Sequence, residues 1–409
     1  MSYTINAIDD TTMLSDEVCQ NPYPFYHHML RDYPVYWSSS TYSWYVFNYQ
    51  DVSSLLRNPH LSANRLQPIY NRMPAERQVQ TKPLFDTFGR WTLLLDPPLH
   101  TKFRKLISAA FAPRLIEPML GHISEVTEGL LDDVAHQAEI DIIHDIAYPL
   151  PAIVIAEMLG ANPNDRDLLK QWSTDIAIFF GTGSLTDEIL ATSQRSVLSM
   201  TEYFRDILIE RRKKPQPDLM TYLLASQIDG HSLSDDELLA TCIMLLFAGH
   251  ETTTNLIGNG MLALLRYESQ LRLLRANQLL LKPAIEEILR FDSPVQRISR
   301  MASDDINLHG QQIMAGQRVT LVLGAANHDP AQFFEPSRFD ITRSENRHLA
   351  FGFGPHFCIG AVLAREEGAI AIRQILERYP TLQLATPEPL RNTNFAVRGL
   401  TSLPVNVQH

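Results

Sequence analysis

Cysteine is nearly absent from this chain: three among 409 residues, at Cys19, Cys242 and Cys358. An odd, widely spaced set does not make a disulfide framework, and a reducing, cytoplasmic setting is expected. Positive charge is also short. Lys and Arg number 35 against 46 Asp and Glu, a net charge of −11, which argues against nucleic acid as the main partner. No run of about 20 uninterrupted apolar residues occurs, so no membrane anchor is expected. The first twenty residues, MSYTINAIDDTTMLSDEVCQ, have neither a basic start nor an apolar stretch, so no secretory signal is expected. Internal repeats, low-complexity tracts and a clear linker are missing as well. With 45% hydrophobic residues the chain can still bury a large core, and a single domain over 1–409 is expected.

What is present is mostly helical periodicity, with short β-like pieces at WYVFNY (44–49) and QRVTLVLGAA (317–326). The fold class is therefore mainly α with a minor β portion. KKPQPDL (213–219) reads as a loop between helices, and the basic run before it as a solvated helix end. The strongest helix begins at Ser234, where Ser-Asp-Asp-Glu forms a capping-box pattern ahead of about 30 residues without proline. That helix is apolar nearly all round up to Phe247, which means burial. AGHETTTN then interrupts it with a glycine, an acid and three threonines. Threonines bonding back to helix carbonyls would account for this locally; such conflicts of propensity and burial also cluster at functional sites.

Cys358 lies in FGFGPHFCIG (351–360), ahead of a helical pattern over 359–378. A lone cysteine is ordinarily buried and inert. A helix N-terminus, however, stabilises a thiolate. Gly354 and Gly360 would let the backbone approach something large and flat, or supply positive φ. A nucleophilic cysteine would want a nearby base, and His356 is two residues away. No second ligand at zinc spacing accompanies the cysteine, whereas a haem iron needs only one thiolate.

FGFGPHFCIG resembles the haem-binding loop of the cytochrome P-450 monooxygenases, with Phe351, Gly354, His356, Cys358 and Gly360 on motif positions. AGHETT (248–253) resembles that family's oxygen-activating stretch. Glu287-Ile288-Leu289-Arg290 resembles its ExxR motif, and FFEPSRFD (333–340) the segment whose arginine, here Arg338, completes a structural triad with Glu287 and Arg290. The resemblance runs from NPYPFYHHML (21–30) to GLTSLPV (399–405).

The resemblance implies the cytochrome P-450 fold, with haem b between the long central helix and the Cys loop with its following helix. It implies Cys358 as the iron ligand, with Phe351 packed on the sulfur and His100, Arg104, Arg300 and His356 on the haem propionates. Ala248 and Gly249 would flank the oxygen site, Gly249 leaving room there. Thr252 would hydrogen-bond reduced dioxygen, and Glu251 would relay protons. A substrate pocket lined by Leu93, Leu94, Phe179, Phe180, Leu245, Ala248, Val295, Phe395 and Val397 is mostly apolar, fitting a fatty acid, terpenoid, steroid or macrolide equally. No Gly-rich dinucleotide loop follows the haem region. Electrons are therefore expected from NAD(P)H through a separate reductase and a ferredoxin or flavodoxin, an acidic partner that Lys102, Lys105, Arg114 and Arg365 would attract, and the enzyme itself is expected to be a monomer. The implied function is a soluble bacterial class I monooxygenase that hydroxylates or epoxidises its substrate. A haem-thiolate gas or ligand sensor, or an isomerase or dehydratase of the same family, are the alternatives; Glu251 and Thr252 favour oxygen activation.

Overall fold

The computed structural model describes residues 12–181, 185–228 and 230–407, most of them in helices, with a small sheet portion. The central helix runs Asp235–Arg266, capped at Ser234. The Ser234 hydroxyl accepts the Glu237 N–H, and the Glu237 carboxylate accepts the Ser234 N–H at 2.8 Å, so two otherwise unpaired donors are satisfied. The AGHETTTN stretch does not break this helix. Thr252 Oγ1 donates to the Ala248 carbonyl and Thr254 Oγ1 to that of His250, each at 3.1 Å, so the hydroxyls are absorbed by the helix itself. What changes there is burial. The helix is buried over 238–246 and 253–264, but Ala248 between them is exposed.

The rest of the fold packs round this axis, in one cluster of buried side chains that includes Leu245, Leu256, Ile288 and Ile372. The ExxR helix, Leu281–Phe291, and the helix after the cysteine, Ala361–Arg378, close on it at Gly260. A Cβ there would stand 2.9 Å from Ile288 Cδ1 and 3.0 Å from Ile372 Cδ1, so any side chain would have to push these isoleucine tips aside.

The two β-like pieces become neighbours. Ser43–Val46 pairs in parallel with Arg318–Leu321, and Ile298–Ala302 adds to the latter antiparallel, with Arg300 opposite Val319. Val35–Ser38 and Leu61–Ser62 complete a five-stranded sheet as its edges. A knot absent from the sequence reading joins the two ends of the chain. Buried Asp292, at the end of the ExxR helix, accepts from Tyr23 Oη (2.6 Å), Arg391 (2.6 Å) and Arg398 (2.7 Å). Burial alone would raise its pKa, but the two guanidinium groups hold it well below the usual carboxylate range. Among the described residues, no helix is long and apolar enough to cross a membrane.

The structural triad needs one correction. Arg290 grips Glu287 with two bonds of 2.8 Å, and neither side chain is exposed. The third member is Arg343, whose Nε lies 3.1 Å from Glu287 Oε2, and not Arg338. The Arg338 side chain is 60% exposed and pairs with Glu335 and Asp340 on the surface. It contributes its backbone instead: its carbonyl accepts from both Arg290 and Arg343. The Asp340 N–H itself donates to Glu287 at 2.9 Å, and the irregular stretch after it carries Arg343 rather than Arg338 to the buried carboxylate.

Candidate active site

The Cys loop is held by its own backbone: Gly352 N–H donates to the Leu349 carbonyl (2.8 Å) and Cys358 N–H to that of Phe351 (2.9 Å). Gly354 has φ +76°, and a Cβ there would lie 2.7 Å from Arg57 Cγ. Glycine is required for the loop's shape, and its open side faces Arg57, not the cleft beside Cys358. Gly360 caps the helix that follows, and a Cβ on it would meet nothing within 4 Å. Residue Cys358 is exposed, yet protein surrounds its thiol at longer range. Burial pushes its thiol pKa up, against the pull of the Gly360 N–H and of the Arg104 and Arg365 charges. The helix start therefore does not by itself make a free thiolate; a bound cation would supply the missing charge.

The central helix and the post-cysteine helix touch at Leu256 and Gly368, where a glycine Cβ would be 3.0 Å from Leu256 Cδ2. Thr253 also bonds to buried Glu367, whose pKa burial raises to about 8. Before that contact both elements lose cover, at Ala248 on one side and Cys358 on the other. This is the cleft. Ala248 and Thr252 share a helical face there. Gly249 does not join them: a Cβ on it would meet Ile155 of the neighbouring helix Pro149–Met158 at 3.3 Å. One residue further round the helix is a turn of about 100°, so Gly249 serves helix packing rather than room at the oxygen site. Burial raises the pKa of Glu251, keeping its carboxyl protonated over a wider range than usual. Beside it the sequence reading missed two groups. The Tyr148 ring meets His250 edge-on at 4.4 Å, and the Lys170 ammonium lies 3.7 Å from the Tyr148 centroid. Burial, then Lys170, lower His250 to about 4, so its imidazole is neutral near neutral pH.

Cations converge at one end of the cleft. His100 is buried with neither ring nitrogen hydrogen-bonded, and its ring stands 4.0 Å from that of His356. Burial, with Arg300, His100, Arg104 and Arg65 following, lowers His356 to about 3. Burial lowers Arg300 to about 10 and, together with Arg300 and Arg318, lowers Arg65 to about 9. Arg104 donates to the Phe357 carbonyl in the Cys loop. Asp96 is the acid that raises His100 and Arg300, but it already accepts from Ser62 Oγ and the Ala63 N–H. Crowded cations and two orphaned imidazole nitrogens fit an anionic group with two carboxylates. With an exposed thiol and a bare helix start beside them, these residues fit the propionates and iron of a haem. Arg65 was missed because SANRLQP carries no local pattern; only folding brings it to Arg300.

The residues expected in the pocket divide into two sets. Phe180 stacks on Trp91 (5.6 Å) and lies 5.4 Å from Phe247, while Phe179 packs against Phe85 and Phe88. Leu94 and Leu245 are buried in the same cluster, and Leu93 is partly exposed. Val295 and Val397 form an isolated bridge on the other side. Phe395 packs against the cluster that contains Phe25 and Tyr26, with the Arg297 guanidinium 3.7 Å over its ring. Trp91, Phe247 and Arg297 were not foreseen. Phe247, directly before AGHET, was the readable one.

A family model described as "Cytochrome P450" matches residues 26–409. The chain is 37% identical over 398 residues to the biotin biosynthesis cytochrome P450 of Bacillus subtilis (strain 168), covering 96% of this chain and 98% of that one. It is 35% identical over 414 residues to the vitamin D(3) 25-hydroxylase of Pseudonocardia autotrophica, covering 100% and 99%. The structure is similar, with a TM-score of 0.89 and 36% identity over 96% of this chain and 99% of the other, to that of P450BioI in complex with hexadec-9Z-enoic acid ligated acyl carrier protein.

Proposed function

This chain belongs to the cytochrome P450 family, a haem-dependent monooxygenase by that membership, and from that premise we propose that it hydroxylates or epoxidises an apolar small molecule with electrons from NAD(P)H. A separate reductase and a ferredoxin or flavodoxin deliver them, in the cytoplasm, to a monomeric enzyme carrying haem b. The observation that carries this reading is that the two helices packed at Leu256 and Gly368 lose cover at Ala248 on one and at Cys358 just ahead of the other, with orphaned His100 4.0 Å from His356 of the Cys loop among crowded cations. When bound there, haem supplies the centre at which dioxygen is reduced and one oxygen atom enters a C–H or C=C bond, the other leaving as water.

The chain's own residues have separable tasks. Cys358 ligates the iron, and the Gly360 N–H on its sulfur tempers the donation. His100, Arg300, His356, Arg104 and Arg65 take the propionates. Trp91, Phe180 and Phe247 exclude water from the substrate side. Glu251 holds a proton that Thr252 passes inward, and the Tyr148–Lys170 pair shields that acid from bulk solvent. The vitamin D relative and the acyl-carrier complex support two substrate shapes, a sterol-like skeleton and a long acyl chain.

The test is a spectral titration of the haem protein with steroids, vitamin D analogues, free C14–C18 fatty acids and the carrier-bound acyl group. Product analysis follows, with a surrogate ferredoxin, its reductase and NADPH. Tight binding with NADPH-dependent oxygenated product supports the reading. Ligand binding without NADPH consumption in every case favours a sensor instead.

Two further outcomes are expected. Thr252→Ala should keep consuming NADPH but divert it to hydrogen peroxide, while Glu251→Gln should slow turnover by about 10²-fold or more, since positioned acids contribute about 10²–10⁴-fold. Substrate titrations should hardly move in either variant. Wild-type rate and coupling in both would remove these residues from proton delivery. Arg65→Ala should release haem to an acceptor protein roughly 10–100-fold faster, as a charge-assisted hydrogen bond contributes about 1.5–3 kcal/mol; an unchanged release rate would take Arg65 off the propionates.

A further inference from the structure

Glu286 precedes the buried Glu287 of the ExxR motif, yet its side chain goes elsewhere. It accepts two bonds from Arg365, Nε at 2.6 Å and Nη2 at 2.9 Å, a fork that fixes the guanidinium in plane and direction. Its Oε2 also lies 3.1 Å from His348 Nε2. The Ala350 N–H points at His348 Nδ1 (3.2 Å), so Nε2 carries the proton that Glu286 receives. Burial alone would raise the Glu286 carboxyl, but His348 and Arg365 hold it down at about 2. The two groups it holds both lie near one ring. The Arg365 guanidinium carbon lies 4.4 Å from the Phe351 centroid, and the His348 ring 6.2 Å from it. Phe351 is hydrogen-bonded through its carbonyl to the N–H of Cys358, and Arg365 is one of the two cations acting on the Cys358 sulfur.

We infer that Glu286 is a positioning residue for the sulfur ligand: through Arg365 and His348 it clamps the Phe351 ring and one positive charge beside Cys358. The inference rests on Cys358 being the haem ligand. It explains why Arg365, expected on sequence grounds as a free charge for a redox partner, is instead consumed in an internal fork. A plain role in joining helices has its own measure nearby. Lys282 and Glu366, 3.8 Å apart, link the same two helices as Glu286 and Arg365, whereas the cation over the Phe351 ring is Arg365.

The experiment follows the reduced carbon monoxide complex of the haem-loaded protein and times the decay of its thiolate-type band under mild guanidinium chloride. Glu286→Gln keeps the shape and loses the charge; Arg365→Lys keeps the charge and loses the fork and the flat stacking. Both should shorten the band's lifetime by about 10–100-fold, the usual effect of removing a group that orients a metal ligand. Glu366→Gln should leave it unchanged. Should Glu286→Gln fail to load haem, Arg365→Lys, at a partly exposed position, decides alone. A wild-type lifetime in Arg365→Lys, or equal shortening in Glu366→Gln, overturns the inference and leaves a helix staple. A wild-type protein with no thiolate-type band at all would instead defeat the haem-ligand reading itself.

Discussion

Glu287→Ala should leave almost no haem-loaded protein. Glu287 is wholly buried and accepts from Arg290 twice, Arg343, Asn346 and the Asp340 N–H, so each lone pair is used. Arg290 spends its remaining donors on the carbonyls of Asn327, Pro336 and Arg338. Removing the carboxylate strands a buried guanidinium, and breaking such a pair costs about 3–5 kcal/mol, a large part of a typical domain's stability. The loss falls just ahead of the Cys loop: Asn327, whose carbonyl Arg290 holds, accepts the Leu349 N–H at 2.7 Å. Haem content per purified protein and thermal midpoint measure it. Arg343→Ala should follow in the same direction, since its side chain is nearly covered and its nitrogens also hold Phe334 and Glu335 carbonyls. Arg338→Ala should stay within about 0.5 kcal/mol of wild type, as expected of an exposed ion pair. A normal haem yield in Glu287→Ala, or a larger loss in Arg338→Ala than in Arg343→Ala, would contradict this arrangement.

The Arg338 and Gly249 corrections share a physical origin. A motif gives spacing, and spacing settles direction only inside regular structure. Ala248 and Thr252 were legible as one face because the helix is continuous from Asp235 to Arg266. Gly249 was assigned to the same cavity although it lies about 100° round that helix. Around Asp340 there is no regular element to carry a phase, so the inward arginine could not be told from the outward one five residues earlier. The capping box at Ser234 and the helix start after Cys358 were legible because capping is local chemistry. Arg65, Tyr148, Lys170 and the Asp292 knot were not, since each acquires its role from a residue about 80 to 270 positions away. Glu286 is intermediate. It stands next to Glu287 in the chain, but only the fold shows the two carboxylates diverging, one into the core and the other to Arg365.

Cys358→Ala should abolish the red-shifted carbon monoxide band for which the family is named, with haem still bound where the cation set suffices to hold it. In the proposed reading the Cys358 thiolate would carry a full negative charge onto the iron, and that charge would set the band. Neither other cysteine can substitute. Cys242 is fully buried in the central helix, 4.0 Å from the Met220 sulfur, and burial pushes its thiol far up. Cys19 is half-buried near Arg297, and burial raises it too. Cys19→Ser and Cys242→Ser should therefore keep the band. Cys358→His separates position from charge: it keeps a ligand at the same place in the loop, and its adduct should absorb where neutral-nitrogen haem proteins do. Turnover should vanish in both Cys358 variants, because electron donation from sulfur favours O–O cleavage. A haem-loaded Cys358→Ala or Cys358→His protein that retains the red-shifted band would show that its sulfur is not the source, and the iron ligand would have to be sought elsewhere in the cleft.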